Sequence, residues 1–314
     1  MSKTLESIRI SDPVLTRVAF VYKFPENAGF SLFPVVSHSF TTGKIPKFGK
    51  EAFRLVDARR GLGATIKRVE RSAESVAVSL EEFSLSIAVD DREFIDAADS
   101  VKRRLLSETA KTESLMKQIG IQVEKLQADL ATNPANYANT NKIVLSGSSV
   151  WSNPNSNPIQ DIKNAIKTIR QNIGIKPNTL FLSASAFEAL RDHPSLKELI
   201  KYSMKGILTA ELIGEIFSIP KIVVGESVYF DGNKMKDIWG THAIVAYVPD
   251  NPETLDEPSF GYTVRNDKYP IVEKVRDEFA TSDVILVRDM LGTALLSDVA
   301  GYLILNAGGI DNAV

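Results

Sequence analysis

The sequence predicts an α+β fold whose extended and helical parts come first and whose α/β part comes late. Three observations predict it. Val76, Val78 and Leu80 alternate with small or polar residues, and the alternation then changes parity over Phe83, Leu85, Ile87 and Val89, the two-residue period of strand. Residues 91–131 carry apolar side chains at three- and four-residue spacings for longer than an ordinary globular helix. From Lys142 onward, short apolar runs alternate with amphipathic segments, the pattern of strands interleaved with helices.

Residues 1–40 read as an extended arm. Pro13, Pro25 and Pro34 each restrict the backbone, and the apolar stretch Val18–Tyr22 lacks helical period. An arm of this kind buries little against its own body. Residues 41–90 read as a long β-hairpin with its outgoing strand at Glu51–Asp57, its tip at Ala58–Ser72 and the alternating run as the return. The parity change at Glu81–Glu82 marks a β-bulge or a change of sheet.

The long helix follows. Phe94, Ala98, Val101, Leu105, Leu115, Ile119, Val123, Leu126 and Leu130 form its stripe, Asp90 or Asp91 caps it, and Thr132–Asn141 ends it. At about 1.5 Å per residue it would be roughly 60 Å long, with Gly120 as a place to bend or divide. Charged residues fill the rest of its surface, so it lies across other elements.

Within the α/β region, Lys142–Leu145 is a short strand. Asn157-Pro158-Ile159-Gln160 supplies an N-cap, a first-turn proline and a capping-box Gln for a helix whose face is Ile159, Ile162, Ile166, Ile169 and Ile173, stopped by Gly174. Strands are expected at Thr179–Leu182, Lys221–Val224 and His242–Val248, and helices at Ser185–Arg191, Ser195–Tyr202 and Thr209–Phe217. Pro249–Pro258 is an acidic loop. Long strands return at Ile271–Phe279 and Asp283–Val287, before an apolar close at Ala300–Leu305.

Composition bounds the function. Of 314 residues, 44% are hydrophobic and 24% charged, the profile of a folded globular chain rather than a disordered one. The net charge is -2, but residues 1–71 are net basic and the remainder net acidic. The basic part suits phosphates or an acidic neighbouring subunit, or is simply a solvated face. With no cysteine, disulfides, thiolate nucleophiles and thiolate metal sites are excluded. The N-terminus carries no secretory core, and no apolar run approaches the roughly 20 residues that span a bilayer. No membrane partner is expected, and synthesis in a cytoplasm is.

The search for chemistry ends in rejections. Gly43–Lys50 resembles a phosphate loop, but the glycines are one residue too far apart and Glu51 stands where Ser or Thr would bind magnesium. Gly61-Leu62-Gly63 lacks a third glycine, and Gly147-Ser148-Ser149-Val150-Trp151 lacks the second glycine of a nucleophile elbow. His38, His193 and His242 are far apart and read as structural. The acidic pairs Asp90-Asp91, Glu81-Glu82 and Asp256-Glu257 read as a cap, a strand irregularity and a solvent loop. Trp151 and Trp239 read as core or interface anchors. No catalytic, cofactor or metal residue is assigned, and no enzymatic activity is expected. One cluster stands out as a candidate subunit interface: Arg59, Arg60, Lys67, Arg68 and Arg71 at the hairpin tip, with no interleaved aromatics for stacking on a single strand.

The segment Trp151–Leu190, WSNPNSNPIQDIKNAIKTIRQNIGIKPNTLFLSASAFEAL, resembles the major capsid proteins of tailed bacteriophages. In that family a Trp and a polar Pro-containing turn precede a helix of the form seen at Asp161–Ile169. A turn like Gly174–Asn178, a strand like Leu180–Leu182 and a helix end like Phe187–Leu190 follow. The similarity continues through Leu208–Val224, Ile238–Tyr247 and Gly301–Ile304. The resemblance implies the phage capsid fold. Residues 1–40 would be the N-terminal arm, 41–90 the extended hairpin (E-loop) and 91–141 the spine helix with part of the peripheral domain. Residues 142–269 would be mainly the axial domain, and 270–314 the peripheral-domain strands and C-terminus. It further implies a non-enzymatic shell subunit that assembles with its own copies into hexamers and pentamers around double-stranded DNA contacted non-specifically. A separate scaffolding protein and a portal would be partners, because the family's large N-terminal scaffolding extension has no counterpart in a 40-residue arm. The expected location is the virion capsid. An encapsulin, a bacterial compartment shell of the same fold, is the first alternative, and an enzyme with an α/β domain at residues 142–250 the second.

Overall fold

The computed structural model describes residues 10–22, 27–47, 59–60, 62, 74–94, 100–200, 209–250, 252, 255 and 259–309. In chain order these contain β1 (Ile10–Ser11), α1 (Pro13–Val21), β2 (Val35–His38), β3 (Thr42–Pro46), β4 (Ser75–Ser79), β5 (Glu81–Asp90) and α2 (Ser100–Thr132). Then come β6 (Lys142–Val144), α3 (Pro158–Ile173), β7 (Thr179–Ser183), α4 (Ala184–Asp192), α5 (Pro194–Ile200), α6 (Ala210–Phe217) and β8 (Lys221–Gly225). The remainder is β9 (Val228–Phe230), β10 (Met235–Asp237), β11 (Ala243–Ala246), β12 (Gly261–Asn266), β13 (Ile271–Asp277), β14 (Ser282–Leu295) and β15 (Gly301–Leu305).

The N-terminal region corrects the expectation of a detached arm. Asp12 accepts hydrogen bonds from the backbone of Val14 and Leu15, and Pro13 occupies the first helical position, so α1 starts where a proline is favourable rather than disruptive. Leu15 and Ala19, one turn apart, are fully buried against α2 and the long strands. Beyond α1, Leu32 and Phe33 are fully buried, β1 pairs with β13, and β2 pairs in parallel with β12. Residues 10–22 and 27–38 are therefore part of the body.

In the hairpin region β3 pairs antiparallel with β4 from Thr42↔Ser79 to Pro46↔Ser75. The expected strand at Glu51–Asp57 lies outside the described residues. The parity change has a definite cause: at Leu80 the chain leaves the two-stranded ribbon, and β5 joins β14 in a different sheet. Gly292 permits the crossing, since a Cβ there would sit 2.4 Å from the Ser79 carbonyl oxygen.

The long helix runs unbroken from Ser100 to Thr132, with Gly120 inside it, and a 3-10 turn at Asp91–Phe94 precedes it. Its stripe faces two cores. Leu115, Met116, Ile119 and Val123 pack with Val272, Ile285 and Val287, while Ala128 and Ala131 pack with Phe181, Ile244 and Leu303. Leu105 and Leu126, expected in the stripe, are exposed.

Two sheets organise the rest. The long-strand sheet has the order β1-β13-β14-β12-β2, with β5 also on β14. β14 extends to Leu295, beyond the expected Val287, and β12 was not foreseen. Phe279, expected at a strand end, lies in the β13–β14 turn. The second sheet has the order β6-β15-β11-β7-β8. Helices α3 to α6 bury one face of it through Ile162, Ile169, Leu190, Leu196, Leu212 and Phe217. The two sheets interleave along the chain: β12 belongs to the long-strand sheet and β15 to the five-stranded one.

Candidate assembly surfaces

Of the predicted interface residues, Arg59 and Arg60 are exposed, and Lys67, Arg68 and Arg71 lie outside the described residues. Their ribbon packs one face along its described length on the body of its own chain. Ile45, Val78 and Leu80 are buried with Val36, Tyr262, Val264 and Leu296, while Thr42, Lys44, Ser75, Ala77 and Ser79 are exposed. A two-stranded ribbon is marginal in water without packing beyond its own strands.

Beside the turn of the β13–β14 hairpin an ionic network joins four elements, the 3-10 turn at Asp91–Phe94, α2, β13 and β14. Asp91 accepts from Arg104 at 3.2 Å and Arg276 at 3.0 Å. Glu108 accepts from Lys274 at 2.6 Å and Arg104 at 3.3 Å. Asp283 pairs with Arg104, with Lys274 at 3.1 Å and with Arg276 at 3.2 Å. The Arg276 hydrogen bond chiefly holds Asp91 below the ordinary carboxylate range. Burial pushes the other way at Asp283, but its hydrogen bonds from Lys274 and Arg276 and the charge of Arg104 outweigh it. The network fixes the start of α2 to a hairpin whose tip displays Phe279 fully to solvent, in a turn shaped by Asp277 accepting from the Phe279 and Ala280 amides.

A second exposed apolar surface is the ribbon β9–β10. Phe230 and Met235 are cross-strand partners and both face outward, with Val228 on the same face. On the inner face, the Lys125 ammonium lies 5.8 Å from the Tyr229 ring centre. The turn is set by Asp231, which accepts from the Asn233 and Lys234 amides. The Lys234 amide first, then the Lys236 side chain and the Asn233 amide, hold its carboxyl far below the usual range. Sequence reasoning missed this ribbon, although Asp231-Gly232 between two short apolar runs is a turn signal.

The three histidines have structural surroundings. His38 packs on Phe40 at 4.1 Å between ring centres, and His193 contacts Ser156, Ser195 and the Asn153 carbonyl. The Asn306 amide donates to His242 Nδ1. Trp151 is buried and donates to Asp161 at 3.0 Å, and burial raises the Asp161 carboxyl. Trp239 is buried and donates to Glu124 at 2.8 Å, where the Ala28 amide also donates. Glu124, a buried hub joining α2, the N-terminal region and the Trp239 segment before β11, carried no signal in the sequence beyond a Glu inside a helix. Gly43–Pro46, the start of the rejected phosphate loop, is strand.

A helix laid across two sheets, a ribbon with one exposed face and exposed apolar tips suit a structural subunit with surfaces for further copies. Solved structures share the fold. The fold is similar to a phage-related protein of Bordetella bronchiseptica RB50 at 34% identity and a TM-score of 0.82, covering 96% of this chain and 98% of that one. A putative prophage capsid protein of Escherichia coli CFT073 matches in fold at 14% identity, with a TM-score of 0.59 over 94% and 99% of the two chains. The family profile "Phage major capsid protein E" matches residues 135–255. The major capsid protein of Burkholderia phage BcepMu is 40% identical over 311 residues, spanning 97% of this chain and 99% of that one. The chain belongs to the phage major capsid protein family, a structural component of virions that self-assembles into a shell.

Proposed function

We propose that this chain builds the phage head as hexamers and pentamers of itself, the E-loop hairpin of each copy lying on its neighbour. The reading is carried by the 40% identity to a phage major capsid protein over nearly all of both chains. The exposure of Thr42, Lys44, Ser75, Ala77 and Ser79 on the ribbon's other face and of Arg59 and Arg60 supports the placement of the hairpin. The basic tip residues Arg59, Arg60, Lys67, Arg68 and Arg71 then meet an acidic surface of the next copy. A separate scaffolding protein, a portal and non-specifically contacted double-stranded DNA are the further partners in this proposal, and synthesis takes place in the host cytoplasm. The family implies a structural, non-enzymatic role.

Electron microscopy of the purified protein tests the proposal. Closed shells built of six- and five-membered rings are the expected product, and particles recovered from infected cells should contain double-stranded DNA. Particles filled with a single cargo enzyme would establish the compartment alternative instead.

A further inference from the structure

Deepening the reading of a self-assembling shell, and resting on it, we infer that copies meet through two charged helix faces of the axial domain, α3 of one copy against α6 of the next. The outward face of α3 presents Lys163, Lys167 and Arg170, one or two turns apart and all exposed, with only Gln160, Asn164 and Gln171 beside them. None of the three cations forms an ion pair or a side-chain hydrogen bond among the described residues. The outward face of α6 presents Glu211 and Glu215, four residues apart, exposed, and likewise without ion pairs among the described residues. Asp192 of the intervening α4 differs, being matched locally by Arg191 and Lys197.

The topology separates the two rows. α3 packs over β11 and β15, and α6 packs beside β8. The strand order β15-β11-β7-β8 sets them apart by two to three strand spacings, about 10–15 Å. At that separation salt screens one row from the other, with a Debye length of about 10 Å at 0.1 M, so neither row satisfies the other within the chain. Two different, complementary faces on one domain are what a heterologous contact requires, and repeated rotation of such a contact closes a ring. The contact supplies register and orientation between copies more than raw affinity.

Two charge reversals and their combination test the inference. The first variant is Lys163→Glu with Lys167→Glu and Arg170→Glu, the second is Glu211→Lys with Glu215→Lys, and the third carries all five. Circular dichroism and thermal melting verify folding, with Lys163→Gln and Lys167→Gln, or Glu211→Gln and Glu215→Gln, replacing the reversal on the same helix if it does not fold. At low salt each partial reversal should lower the assembled fraction by about tenfold, and the five-fold swap should restore it to within about twofold. Mixing the first two variants should give rings where neither does alone. A folded first variant that assembles like the parent, or a swap that fails to restore assembly, overturns the inference. So does a first variant that assembles normally but retains less DNA, which would make α3 a DNA contact. A parent chain that forms no shells under any condition overturns the shell reading itself, a result distinguishable from all of these.

Discussion

Replacing Ile119 tests whether α2 is the spine on which the long strands pack. Ile119 is fully buried in a cluster with Leu15, Leu115, Met116, Val123, Val272, Ile285 and Val287, and every member is apolar. Ile119→Ala removes a buried aliphatic side chain and leaves a cavity the surroundings fill only in part, at about 2–5 kcal/mol. Ile119→Asp adds the desolvation of a carboxylate that has no cation in the cluster, several kcal/mol more by general experience with buried ions. Domain stabilities are about 5–15 kcal/mol, so the alanine variant should fold with a lowered urea midpoint and the aspartate variant should be insoluble or unfolded. Urea unfolding followed by tryptophan fluorescence reads both, since Trp151 and Trp239 are buried. A soluble Ile119→Asp variant with the parent's midpoint would refute the packing argument.

Glu124→Ala should destabilise the chain by leaving the Trp239 indole and Ala28 amide without their shared acceptor, about 1–3 kcal/mol for each group; an unchanged melting temperature would show the hub to be dispensable. The Asp91 carboxyl is held below its unfolded value by Arg276, so its contribution is present above about pH 4 and is lost as pH falls through the lowered folded value. The melting difference between parent and Asp91→Asn should therefore be clear at pH 7 and shrink towards zero by strongly acidic pH, and a difference that grows on acidification would contradict the network's sign. Reversing Arg59, Arg60 and Arg68 to Glu should weaken shells in the manner of added salt while leaving the monomer's circular dichroism unchanged. Light scattering across a salt series reads this, and parental assembly at low salt would reduce the tip to a solvated surface.

The best-foreseen elements carry their instructions locally. α3 begins at the Asn157 cap, keeps Ile162, Ile169 and Ile173 buried and ends at Gly174 in the left-handed region, as its sequence indicates. The change of sheet at Leu80 was likewise written in a parity reversal. What failed depended on partners distant in sequence. The far half of β14 was hidden because Asp289, fully buried, breaks the apolar pattern; its match is Arg265 on the neighbouring β12, 24 residues away. α1 was hidden because its proline looked like a breaker, although Asp12 made it a start. The candidate surfaces were the least legible part. Exposure of Phe230, Met235 and Phe279 follows from register and turn geometry, and Glu124 acts through groups over 90 residues away in either direction.

A cryo-electron microscopy reconstruction of particles assembled from this chain tests the central claim most directly. The account predicts a closed shell in which the hairpin tip, residues 58–72, of each subunit lies across the surface of an adjacent copy, with residues 10–22 and 27–38 retained in their own subunit. A closed shell with every hairpin tip folded back on its own subunit, or a chain that remains monomeric at high concentration, would contradict it.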